Sequence, residues 1–372
     1  MKRLLLGLTA LCLAAALNAQ PSIDAKAYFL FDASSGVVLA ESNAGESLDP
    51  ASLTKLMTAY LAFDAIESGQ TSLEALVLVS EKAWRERGSR MFIEVGTEVA
   101  VDDLLRGLIV QSGNDAAIAL AEHMAGSEET FVDLMNSTAE SLGMTGTTFR
   151  NPNGLPARGH VSTAADMARL ARALIRDFPE YYTRYSEREF TYNEIRQHNR
   201  NALLWLDDSV DGLKTGYTRA AGYCLVSSAE RDGMRLIAVV FGASTPDLRT
   251  EGSMALLDYG FDSFETHKLY SVGQPIAQAR VWKGDLDVLA LGATEDIFVT
   301  VPRGEYQNLG ASAALTTELV APLDRHQAVG ELEIRLGDER LYQYPLVALE
   351  PVNEGWILGR MADSVSLWLD WE

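Results

Sequence analysis

The sequence predicts an α/β unit followed by a small all-β unit and a C-terminal amphipathic helix. Three observations predict it. β-rich runs at both ends of residues 27–242 enclose a long helical middle, short alternating runs fill residues 265–352, and the chain ends on apolar residues repeated at helical spacing. At 372 residues the chain is about twice a usual single-domain length, so two domains are the default expectation.

Residues 1–19 come first. Lys2 and Arg3 precede the apolar run Leu4 to Leu17, and Asn18-Ala19 supplies a small-residue end. This pattern is that of a secretory signal peptide, with cleavage after Ala16 or Ala19 both compatible. Cys12 lies inside that run, so the exported protein keeps Cys224 alone and forms no internal disulfide. Cys224 sits in Gly222-Tyr223-Cys224-Leu225-Val226, where a thiol behaves as a small buried hydrophobe.

The runs Ala27 to Asp32 and Val37 to Ala40 flank Ser34-Ser35-Gly36 and read as a hairpin. Helical periodicity follows near 52–68, 101–110, 115–125, 129–142 and 163–176. Strands return at Val210 to Thr215, Gly222 to Ala229 and Arg235 to Phe241, and a helical stretch ends near Phe264. Strands at both ends imply one sheet joining the termini of a unit spanning 20–264. Short runs such as Ile297 to Val301 and Leu332 to Leu336, separated by Gly, Pro and Asp turns, make 265–352 a β-sandwich or barrel. In the tail, 353–372, Ile357, Leu358, Met361, Ala362, Val365, Trp368 and Leu369 share one helix face, with Asp363, Ser366 and Asp370 on the other. Trp356, Trp368 and Trp371 suit a membrane interface, while three acids against one arginine within 355–372 weaken attraction to anionic lipid. The alternative is a helix folded back on the β domain.

The net charge is −21, and no basic run offsets it. Such a surface repels phosphate backbones, so no nucleic-acid partner is expected. The five histidines never pair at ligand spacing with other donors, so neither metal nor cofactor is expected. Lysine usage is more informative, at 7 against 24 arginines. Arginine stays charged, whereas a desolvated lysine becomes a neutral base, which draws attention to Lys55 and Lys214.

Lys55 closes Ser52-Leu53-Thr54-Lys55 at the start of a helix whose apolar residues are Leu53, Leu56, Met57, Tyr60 and Leu61. Ser52 and Lys55 are three apart and share a face, so the amine can take the hydroxyl proton. The first helical turn also favours a developing oxyanion. A second element, Ser112-Gly113-Asn114, breaks a helical pattern and can present a hydroxyl and an amide to a cleft. A third, Lys214-Thr215-Gly216-Tyr217, ends a strand. There Lys214 offers a fixed positive charge, Thr215 a hydroxyl, and Gly216 room for a substrate backbone. Taken singly, each also reads as ordinary structure: a chance tetrapeptide, an interhelical turn, a strand end.

Together, in the order Ser-x-x-Lys, Ser-Gly-Asn, Lys-Thr-Gly, they make the chain resemble the penicillin-binding serine D,D-peptidases. The resemblance is to the low-molecular-mass D-alanyl-D-alanine carboxypeptidases of the type-5 class. It extends to Ala27 to Asp32, Asp49 to Lys55, Ser162 to Ala168 and Ala221-Gly222-Tyr223, and spans the mature chain. It implies an antiparallel sheet with a helical cluster, of the penicillin-recognising serine transferase type. It further implies that Ser52 is acylated, Lys55 activates it, Ser112 passes a proton to the leaving D-alanine, and Asn114 orients the substrate amide. Lys214, Thr215 and Gly216 would line the cleft, and backbone N–H groups of Ser52 and Tyr217 would form the oxyanion hole. Arg249 aligns with an arginine that binds the terminal carboxylate, the alternative being an ion pair with Asp247 or Glu251. The implied substrate is the peptidoglycan stem pentapeptide, with β-lactams acylating the same serine. The implied location is the periplasm, attached by the C-terminal helix to the outer face of the cytoplasmic membrane.

Two features depart from the pattern: Tyr217 stands where relatives often carry histidine or threonine, and the tail is acidic. Rival readings fare less well. A class A β-lactamase would carry a deacylating glutamate in the loop Asn151 to Ser162, which has none. A Ser-His-Asp hydrolase would need a Gly-x-Ser-x-Gly elbow, which is absent. A non-catalytic wall-binding protein would have no need of Ser52. His160 is expected to order a loop near the cleft.

Overall fold

The computed structural model describes residues 20–369; the signal segment, Cys12, Asp370 and Trp371 lie outside them. Two compact units divide the chain near residue 262.

The larger unit is organised by a five-stranded antiparallel sheet, ordered Val38–Ser42, Ala27–Asp32, Met234–Ala243, Gly222–Arg231, Val210–Thr218. The N-terminal strand pairs with a strand more than two hundred residues later, Phe29 opposite Val239. Central strand Met234–Ala243 is apolar at nearly every position because both its faces are covered. Ile237, Val239 and Phe241 enter the main core with Ala27 and Phe31. On the alternate face Leu236 lies against Gly260 of helix Pro246–Ser263, where a side chain would collide with it.

The helical middle supplies the other half of the core. Helix Lys55–Glu67 is central: Leu56, Met57, Ala59, Ala62 and Phe63 are fully buried, and Tyr60 and Leu61 are half-buried. Its apolar surface is therefore wider than the stripe expected from residue spacing, since four further apolar residues, Ala59, Ala62, Phe63 and Ala65, are buried too. Helix Ala164–Asp177 begins where Thr163 accepts the Asp166 N–H at 3.1 Å. The pairs Leu76–Leu78 with Glu98–Ala100 and Glu189–Tyr192 with Ile195–His198 form small ladders that the sequence pattern did not mark.

One turn of the middle matters for the site. The chain passes through a π-helical turn, Gly107–Gln111, into Ser112 at φ +63°, and restarts as helix Asn114–Ala125. Buried Asp115, in the first turn of that helix, accepts the N–H groups of Met91 at 3.0 Å, Phe92 at 2.9 Å and Ile93 at 3.4 Å. A carboxylate at a helix start both satisfies these donors and fits the helix field.

In the smaller unit Phe264–Tyr270 pairs with Ile297–Pro302. A separate six-stranded sheet is ordered Leu309–Leu315, Ala328–Leu336, Glu339–Ala348, Val288–Gly292, Ala277–Trp282, Leu319–Val320. Two small cores fill it, one around Leu289, Leu291 and Leu346, the other around Ile297, Val299 and Ile334. Helix Ile357–Leu369 follows. Asp363, on the polar face by its spacing, accepts the Lys283 N–H at 2.6 Å and lies 3.8 Å from Arg280. Trp356, Ile357, Leu358 and Met361 are exposed, Trp356 to 74%. Among the described residues no helix is long and apolar enough to cross a membrane.

Asp115→Ala would strand the backbone donors of Met91, Phe92 and Ile93, and we expect it to lower unfolding free energy by about 3 kcal/mol. Chemical denaturation of the variant checks this; an unchanged midpoint would contradict the assigned role.

Candidate active site

The Ser52 turn is shaped by close backbone approach. Ala51–Thr54 forms a 3-10 turn, so Ser52 precedes the α-helix proper, which begins at Lys55. Ala51 sits at φ +49°, a conformation that a residue with a Cβ holds only where its surroundings impose it. Two glycines from distant segments allow the crowding. A Cβ at Gly154 would fall 1.9 Å from the Ala51 carbonyl oxygen, and one at Gly216 would fall 3.2 Å from the Ser52 nitrogen. The strand carrying Lys214-Thr215-Gly216 thus lies against the turn carrying Ser52.

Lys55 is 1% exposed. Its Nζ lies 3.2 Å from Ser52 Oγ and donates to Asn114 Oδ1 at 2.7 Å and the Asn153 carbonyl at 2.5 Å. Burial, reinforced by the Arg200 guanidinium, lowers its pKa to about 7. The amine can therefore be neutral near physiological pH while three oxygens keep it in place. Both ends of the Asn114 amide are engaged, with Oδ1 accepting from Lys55 and Nδ2 donating to the Arg87 carbonyl at 2.5 Å.

Ser52, Ser112, Asn114, Thr215, Gly216, Tyr217 and Arg249 line one cavity of about 360 Å³, so residues of all three motifs meet there. Ser112 is buried and held in the left-handed region at the helix break, which turns it toward this space. Lys55 and Lys214 stand behind the lining. Lys214 is 2% exposed and donates to the Thr215 carbonyl at 3.1 Å. Burial, with Lys55, Arg200 and Arg249 nearby, pulls its pKa well below the ordinary lysine value.

Arg249 is buried and its Nε has no hydrogen-bond partner; among the described residues it forms no ion pair with Asp247 or Glu251. Tyr217 is 55% exposed at the mouth and stacks on Tyr223, ring centres 4.3 Å apart. Cys224 is buried and its thiol pKa is pushed up to about 11, consistent with a packing role.

Sequence reasoning missed Arg200, Gly88 and Ser89, which also line the cavity. Arg200 stands between buried Asn199 and Asn201, and Asn201 Nδ2 donates to the Gly212 carbonyl at 2.9 Å. A polar run flanking a strand was the one signal that could have found it. With it, four basic side chains, Lys55, Lys214, Arg200 and Arg249, gather in a chain of net charge −21. Such a constellation suits a carboxylate-bearing ligand beside a nucleophilic hydroxyl.

Comparison with known proteins agrees. Residues 14–245 match the family described as D-alanyl-D-alanine carboxypeptidase, and residues 264–354 match the penicillin-binding protein 5 C-terminal domain. D-alanyl-D-alanine carboxypeptidase DacC of Escherichia coli (strain K12) is 49% identical over 355 residues, covering 93% of this chain and 89% of that protein. Penicillin-binding protein 5 from Haemophilus influenzae superposes with a TM-score of 0.88 at 41% identity, over 91% of this chain and 100% of the other. Penicillin-binding protein D2 from Listeria monocytogenes, in its ampicillin-bound form, gives a TM-score of 0.61 at 32% identity over 66% of this chain and 100% of its own. The chain belongs to the D-alanyl-D-alanine carboxypeptidase family, as an enzyme of the penicillin-binding protein 5 type.

Proposed function

We propose that the enzyme removes the terminal D-alanine of peptidoglycan pentapeptide stems through an acyl-enzyme on Ser52. The observation that carries this reading is the desolvated Lys55 amine 3.2 Å from the Ser52 hydroxyl. Neutral Lys55 takes the hydroxyl proton as Ser52 Oγ bonds to the carbonyl carbon between the two D-alanines. The C–N bond then breaks, and Ser112 relays a proton to the departing amine. Water hydrolyses the ester, releasing the shortened stem and restoring the Ser52 hydroxyl. The Ser52 and Tyr217 N–H groups receive the oxyanion, and Asn114 serves both Lys55 and the substrate amide.

Lys214, Thr215, Arg249 and Arg200 hold the terminal carboxylate. A planar guanidinium with its Nε unpaired, as in Arg249, is suited to that. β-Lactams carry a carboxylate beside a strained amide and acylate the same serine. Without a glutamate in the loop Asn151 to Ser162, that adduct clears slowly. Residues 20–264 form the catalytic domain and 265–352 the accessory β domain. Export through residues 1–19 places both in the periplasm, in cell-wall maturation and shape. The exposed Trp356, Ile357, Leu358 and Met361 rest on the outer face of the cytoplasmic membrane.

Product analysis on a muramyl pentapeptide tests the chemistry: wild type should release one D-alanine and Ser52→Ala none, and retained release would refute the assignment. The pH profile of kcat/KM should fall about tenfold per unit below a pH near 7, where Lys55 becomes protonated. Because Arg200 pushes the Lys55 pKa down, Arg200→Gln should move that limb to higher pH; a limb that stays put would separate Arg200 from the base. Deleting residues 355–372 should move the protein from the membrane to the soluble fraction, and unchanged fractionation would refute the anchoring.

A further inference from the structure

His160 is 2% exposed and bonded through both ring nitrogens. Nδ1 accepts the Arg150 N–H at 2.9 Å, so in the neutral ring the proton is on Nε2. Nε2 lies 2.8 Å from Thr54 Oγ1 and donates to it. The fully buried Thr54 hydroxyl then has one hydrogen to give, and it goes to the Ala51 carbonyl at 2.8 Å. Every donor in this chain meets one acceptor, and the direction of each bond follows from the first.

The chain ends where the Ser52 turn is most strained. Ala51, at φ +49°, is the residue whose carbonyl is also crowded by Gly154. Thr54 lies between Ser52 and Lys55, so one hydroxyl ties the turn to a loop far away in sequence. Phe149 meets the imidazole edge-on at 5.9 Å, which fixes the ring plane. Burial and the Arg150 charge lower the ring pKa to about 4, which keeps the donating tautomer present around neutral pH.

We propose that His160 is a positioning residue for the reaction: through Thr54 it holds the Ala51 carbonyl and thereby aims Ser52 Oγ at the scissile carbonyl. The inference rests on Ser52 being the nucleophile. Small errors in aim are costly to acylation, so the arm toward Thr54 should matter more for rate than the arm toward Arg150.

Amide substitutions separate the two arms. The short amide of His160→Asn reproduces Nδ1 and keeps the Arg150 bond, whereas the longer amide of His160→Gln reaches Thr54. The measurement is the rate of Ser52 acylation by a fluorescent penicillin, per folded molecule, with the adduct mapped by peptide mass spectrometry. His160→Asn and Thr54→Val should each lose about tenfold to a hundredfold in acylation rate. His160→Gln and Thr54→Ser should stay within about threefold of wild type, a band well inside that loss. Combining His160→Asn with Thr54→Val should cost no more than either alone. Equal rates for the Asn and Gln variants, or a wild-type rate for Thr54→Val, would overturn the inference. A label found elsewhere than Ser52 would instead overturn the catalytic assignment on which it rests.

Discussion

The site depends on a lysine amine kept out of water. Burial disfavours an ammonium in such a place, and the packing of helix Lys55–Glu67 lowers its pKa to about 7, so that the neutral amine is accessible near physiological pH. Three oxygens, from Ser52, Asn114 and Asn153, replace the water it would otherwise hold. The same groups come from three separate stretches of chain, so keeping the amine satisfied also requires that those stretches meet. Base strength, nucleophile geometry and tertiary contact are one constraint seen from different sides.

That constraint explains the cations around it. Arg200, Arg249 and Lys214 raise the local positive potential, and Arg200 lowers the Lys55 pKa further. In an acidic chain, such a pocket would attract an anionic substrate end while the rest of the surface repels it. Close packing of backbone serves the same end. Gly154 and Gly216 let a loop and a strand reach the Ser52 turn, and the turn accepts a strained Ala51 in return.

Much of this was legible in sequence, and the reasons are specific. Ser52 and Lys55 are one helical turn apart, so local periodicity alone places them together. The sheet was legible because Ala27 to Asp32 and Arg235 to Phe241 are both rich in β-formers at opposite ends of a helical region. Arg200 was barely legible, since the polar run around it was its one local signal and Asn201, beside it, is tied by tertiary packing to the Gly212 carbonyl. The lowered pKa of Lys214 and the double duty of Asn114 were also hidden, because both depend on neighbours brought in by tertiary packing. The breadth of the buried face on helix Lys55–Glu67 escaped for a simpler reason: alanines such as Ala59 and Ala62 mark close packing without contributing an obvious apolar stripe.

The most direct test of the central claim is the protonation of Lys55 itself. Titrating the lysine ε-methylene carbons by NMR, and assigning the resonance lost in Lys55→Met, reads it without reference to turnover. A midpoint near 7 is the predicted result; a midpoint near the ordinary value of about 10.4 would mean the amine is an ammonium in the working enzyme and cannot serve as the base.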